Sequence, residues 1–123
     1  MSETDVMHDI MIEATRLGHR LLRNNVGVAT YKDEEGNITG KVAYGVGGTG
    51  SGDLVGWTKR GYVTILGKPV TVPVFTMIET KKPKGKTAKK RLAEQQRKIA
   101  GVLAAGGVAG FCDTVEAYRE LVK

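Results

Sequence analysis

Apolar residues recur at steps of three and four across residues 4–22. Val6, Ile10, Ala14, Leu17 and Leu21 fall on one stripe, which predicts an amphipathic helix with Ser2 or Thr4 at its start. The period then changes. Residues 23–52 hold short β-prone pieces cut by glycine, with Asp33-Glu34-Glu35-Gly36-Asn37 as a hairpin turn. The tract from Gly45 to Gly52 carries five glycines and calls for unusual backbone angles or close approach of a ligand. Asp53–Trp57, Tyr62–Leu66 and Val70–Glu79 are rich in β-branched and aromatic residues and read as strands, with Pro73 marking a bulge or an edge. A second helix is expected over 87–105, stopped by Gly106-Gly107, then a strand over Val108–Cys112 and a last helix over 114–122 capped by Asp113. Helix, strands, helix, strand, helix predicts an α/β (α+β) domain with a mixed sheet flanked by helices, spanning residues 1–123.

Composition narrows the class. With 41% apolar and 26% charged residues in 123, the chain has the means to build one ordinary core. It has no 18-residue apolar run that would span a membrane. The opening MSETDVMHD is polar and acidic, unlike a signal peptide. Cys112 alone excludes an internal disulfide, and with His8 and His19 it offers too few ligands for a zinc site. A soluble, cytoplasmic protein is the expectation.

Charge is concentrated rather than spread. Residues 81–98 hold nine basic residues and one acid, +8 in a chain of net +6, so the rest sums to −2. A cationic segment on a near-neutral body suits a polyanion, nucleic acid above all, although a lysine-rich solvated loop would read the same way. Aromatic residues make up only 6%, so gripping duplex phosphates is favoured over stacking on single strands.

Two phosphate-loop patterns fail. Gly45-Val46-Gly47-Gly48-Thr49-Gly50 fits G-x-G-x-x-G but leads into a strand where the dinucleotide fingerprint needs a helix. Gly85-Lys86-Thr87 resembles the end of a P-loop, but Thr80 stands where the earlier glycine belongs.

The stretch with chemistry in it is Met77-Ile78-Glu79-Thr80-Lys81. On a strand, Glu79 and Lys81 share a face, placing a carboxylate and an ammonium at the mouth of an apolar strand. A carboxylate there can hold a hard cation, while the lysine touches a phosphate or orients a water. Asp53 ends a glycine-rich turn and opens a strand, so its carboxylate also lies at a strand end; as a plain turn residue it would look alike. Gln95 falls inside the apolar arc of the second helix formed by Leu92, Ile99, Val102 and Leu103, where a glutamine needs a polar partner. Glu13, at the margin of the first stripe, is a candidate for a further carboxylate or a solvated edge residue.

Asp after a glycine turn, Glu-x-Lys beginning 26 residues later, and a helical Gln 14 residues beyond the Lys resemble the PD-(D/E)XK nucleases, and more narrowly the VRR-NUC domain. The matching residues are Arg23 to Gly27, Gly50 to Gly56, Ile78 to Lys81, Glu94-Gln95 and Ala104 to Ala109. The segment Lys68 to Pro73 departs from a minimal hairpin. The resemblance implies a restriction-endonuclease-like fold and a stand-alone phage or prophage nuclease in the host cytoplasm. It further implies similarity to Holliday-junction resolvases, a homodimer, and branched DNA as substrate. Asp53, Glu79 and the Thr80 carbonyl would hold Mg²⁺ or Mn²⁺, with Glu13 a possible further ligand. Lys81 would position the attacking water, and Gln95 would hold Lys81 or the phosphate in place. Arg23, Lys82, Lys84, Lys86, Lys89, Lys90 and Arg91 would clamp DNA, with Lys41 a further contact. Flap or linear-duplex cutting, and a non-catalytic DNA-binding module on the same fold, are the alternatives. Val70, Val72 and Tyr118 are candidate dimer contacts. The scheme requires the Asp53 and Glu79 carboxylates to come within shared coordination reach.

Overall fold

A computed structural model describes residues 2–48, 50–81 and 87–123. The first helix, α1 (Glu3–Arg16), starts at a capping box in which Ser2 and Asp5 exchange hydrogen bonds. It is shorter than its apolar stripe predicts. Gly18 turns left-handed at φ +85°, and His19 and Gly18 donate back to the Ala14 and Thr15 carbonyls, a Schellman ending. Val6, Ile10 and Ala14 are buried on the helix as expected, but Leu21 is buried on the first strand instead.

Six strands follow: β1 (Arg20–Arg23), β2 (Gly27–Lys32), β3 (Ile38–Tyr44), β4 (Leu54–Ile65), β5 (Lys68–Thr80) and, after α2 (Lys89–Ala104), β6 (Val108–Cys112), with α3 (Val115–Leu121) last. The main sheet runs β1-β4-β5-β6, antiparallel except for the parallel β5–β6 pair that α2 connects. The described residues are therefore mixed α+β, with a mixed central sheet and three helices. The β2–β3 ribbon stands apart, folded around the Asp33–Asn37 turn as predicted. The α3 cap is Thr114, whose hydroxyl accepts from Ala117 N, in place of the expected Asp113. No described helix is long and apolar enough to cross a membrane.

Two expected strands merge into β4. Its register slips once at Gly61, and Leu66-Gly67, both at positive φ, make a tight hairpin turn. Residues 68–73 therefore pair continuously with β4 rather than interrupting it. Pro73 sits beyond the reach of β6, where β5 has an open edge; the bulge lies at Gly61.

The core lies on one face of the sheet, where Ile78, Leu54 and Leu21 meet Val6 and Ile10 of α1 and Tyr118 of α3. Tyr118 is fully buried, so it is a core residue and no dimer contact. The other face carries α2, of whose side chains only Gln95 is buried. A groove of about 640 Å³ separates the carboxyl-terminal half of α2 from Val74, Phe75 and Met77 on β5.

Candidate active site

Pairing across the β4–β5 hairpin sets the first two functional side chains. Leu54 pairs with Ile78, so the next step of the register puts Asp53 opposite Glu79. Gly52 lets the chain arrive there: a Cβ at this position would lie 2.6 Å from the Met77 side chain and 2.7 Å from the Ile78 carbonyl. The first turn of α1 adds a third carboxylate. One oxygen each from Glu3, Asp53 and Glu79 lies within 4.8 Å of the other two, inside the span of ligands that share one ion.

Asp53 is tied down by Thr80, whose backbone N–H (3.0 Å) and hydroxyl (2.8 Å) both donate to its Oδ2. The N–H and C=O of a strand residue point to the same side, so the Thr80 carbonyl also faces Asp53. Glu79 Oε1 accepts from Gln95 Nε2 at 2.9 Å, and Gln95 Oε1 accepts from Lys81 Nζ at 2.7 Å. One buried amide thus spaces the carboxylate from the ammonium, which answers the polar partner demanded of Gln95. Lys81 Nζ also donates to the Thr87 hydroxyl at 2.9 Å and lies 5.2 Å from the centre of the Phe111 ring.

Glu79 is buried. Burial first, and the Asp53 carboxylate beside it second, push its carboxyl up to about 8, against an ordinary value of 4.5. A divalent cation arriving between the carboxylates would displace that proton to solvent and favour the ionised pair. The donors are all hard oxygens, suited to Mg²⁺ or Mn²⁺ and unsuited to a soft metal. Cys112 offers no competing nucleophile, since burial raises its thiol to about 12.

Glu13 is placed elsewhere and is no partner of this group. Its oxygens accept from Arg16 and, at 2.8 Å, from Arg119 of α3, and the Arg16 bond first among these holds its carboxyl below the usual range. Ten helical residues separate it from Glu3, about 15 Å along the axis. Glu3 is the candidate ligand that the apolar stripe does not reveal; its signal in the sequence is an acidic first turn beside a serine cap. Glu13→Ala should lower the melting temperature and leave Mg²⁺ affinity unchanged, whereas Glu3→Ala should weaken Mg²⁺ binding with little change in melting; calorimetry of both variants checks this.

The carboxylates open into a cleft of about 820 Å³. Arg91, Glu94 and Gln95 of α2 form one wall, and Asn25, Val26 and Tyr44 the other. The glycine tract reaches this cleft at Gly50, with Gly45, Gly47, Gly48 and Gly50 at positive φ, and β4 follows it, so the dinucleotide reading fails here too. Asn24 pins this tract: its Nδ2 donates to the Val46 and Gly52 carbonyls, both at 3.0 Å, and its Oδ1 accepts from Val46 N. In the sequence Asn24 stands out only within the Arg23 to Gly27 match, with no role attached. Arg23 lies beside Asp53 in a smaller adjoining pocket. Lys89, Lys90 and Arg91 form the exposed first turn of α2, which has no side-chain cap and no acid. Lys82, Lys84 and Lys86 lie outside the described residues. Lys41 sits on β3, paired with Thr30. No protein-family model matches the chain, and no curated protein matches it significantly in sequence.

Proposed function

We propose that this chain is a Mg²⁺- or Mn²⁺-dependent DNA endonuclease of the VRR-NUC type, built on the restriction-endonuclease-like PD-(D/E)XK fold. The observation that carries the reading is the convergence of Asp53 and Glu79 with a lysine that Gln95 links to Glu79. Asp53, Glu79 and the Thr80 carbonyl would hold the cation, joined by Glu3. The bound ion would polarise the scissile phosphate and acidify a water. Lys81, fixed by Gln95 and Thr87, orients that water and offsets charge growing on the phosphate. Arg23 and Arg91 flank the carboxylates and draw the neighbouring phosphates in. The first turn of α2 supports the same reading: three cations at the positive end of a helix dipole are unfavourable unless an anion joins them.

A junction cut on both strands needs two such sites, and a second copy supplies the other through the outer half of the β4–β5 hairpin. Tyr62, Val63, Ile65 and Val70 are exposed there, and Leu66 is 98% exposed. Sedimentation should show a mass that rises with concentration for the natural chain and not for Leu66→Asp.

The test is cleavage of labelled four-way junction, flap, linear duplex and single strand, with Mg²⁺ or with EDTA. Metal-dependent cutting of branched DNA is expected. DNA binding should weaken steeply with salt, by about 0.9 in log–log slope per phosphate neutralised. Absence of metal-dependent cutting on all four substrates would overturn the proposal.

A further inference from the structure

Tyr44 stands in the cleft wall across from Arg91 and Gln95, yet it has no part in the chemistry above. It is half exposed. Its place is fixed by the ribbon register, in which Tyr44 is paired directly with Gly27. The end of its ring lies flat over that glycine: a Cβ at Gly27 would meet the hydroxyl and lie 2.6 Å from Cζ. The hydroxyl end of the ring is thus backed by bare backbone, and Tyr44 lines the cleft that Asp53 and Glu79 share.

We infer that Tyr44 is a specificity-determining residue that stacks on an unpaired base beside the scissile phosphate, so the cleft takes DNA at a branch or fray in preference to closed duplex. This rests on the endonuclease reading for the scissile phosphate, though not for the contact itself. Bases inside a duplex present only their edges, because their faces are covered by neighbouring pairs. A backed aromatic face offers a stacking surface to a base that has left the stack. Low aromatic content argues against an extended stacking platform, but one ring at the cut is enough to choose a structure.

The experiment measures equilibrium binding of the full chain in EDTA, so that no cleavage intervenes. The probes are branched DNAs carrying either a normal base or an abasic residue at each of the unpaired nucleotides next to the branch. At one position the natural protein should prefer the base by about ten- to a hundredfold. Tyr44→Leu should abolish that preference and Tyr44→Trp should keep it, while the salt dependence stays the same in both. Gly27→Ala displaces the ring without removing it and should reduce the preference, which keeps the test decisive if Tyr44→Leu folds poorly. A base-to-abasic ratio near one at every position, or a ratio unchanged in Tyr44→Leu and Gly27→Ala, would overturn the inference. A protein that shows the preference but cuts nothing with metal would overturn the endonuclease reading and leave Tyr44 in its role.

Discussion

Glu79→Gln is expected to make the metal-free protein more stable above pH 8, although it removes a residue from the centre of the site. The glutamate sits with its carboxyl raised from 4.5 to about 8, by burial first and by Asp53 second. Below pH 4.5 the folded and unfolded chains both carry the proton, and the group costs nothing. Between 4.5 and 8 the unfolded chain releases it and the folded chain keeps it, so stability falls as pH rises, by about 1.4 kcal/mol per unit. Above 8 the loss levels off. A glutamine has no proton to lose, so this part of the pH dependence should vanish in the variant. Mg²⁺ should restore the natural protein at pH 9, because a cation held as proposed would favour the ionised pair, and should do little for Glu79→Gln. Chemical denaturation at pH 5 and pH 9, with and without Mg²⁺, reads all four corners. Equal pH slopes in the two proteins would show that Glu79 is ionised in the folded state without help.

Lys81→Met should lower the rate of DNA cleavage by about a hundred- to a thousandfold, the scale of losing one fixed charge donor at a transition state. Substrate binding should change far less, since Arg23, Lys89, Lys90 and Arg91 remain. The lysine is held by Gln95 Oε1 at 2.7 Å and Thr87 Oγ1 at 2.9 Å, and a point charge on a flexible stem suits that seat. Lys81→Arg is therefore expected to fail as a rescue, because a planar fork cannot occupy it. Gln95→Ala should lose less than Lys81→Met, since it loosens the lysine rather than removing it. Single-turnover kinetics separates these steps from binding. A Lys81→Met protein with unchanged single-turnover rate would take the lysine out of the mechanism.

Much of this array was legible because its parts obey local rules. Asp53 ends a glycine turn, Glu79 and Lys81 alternate on one strand face, and Gln95 interrupts an apolar arc. Each of those patterns has a physical meaning at short range. The misreadings have long-range causes. Leu17 and Leu21 continue the stripe of α1 in period, but Gly18 stops the helix and pairing with Gly56 makes Leu21 a strand residue. Glu13 at the margin of the stripe is buried, yet its partners are Arg16, three residues on, and Arg119, 106 residues away, and no local pattern announces the second bond. Glu3 entered the site through the direction of α1, which only packing sets. The gap between the two halves of β4 vanished because β5 supplied a ladder that the weak residues around Gly61 lacked by themselves.

The loose seating of α2 has an effect on how the protein fails with heat. Polar bonds through Gln95 and Lys98 hold this helix where others use apolar packing, and the groove beneath it leaves Phe75 and Val102 incompletely covered. Its amides should exchange with deuterium well before those of β5, a local opening below the global one. Since Gln95 and Arg91 travel with the helix, thermal inactivation should set in several degrees before the sheet melts, and should reverse on cooling.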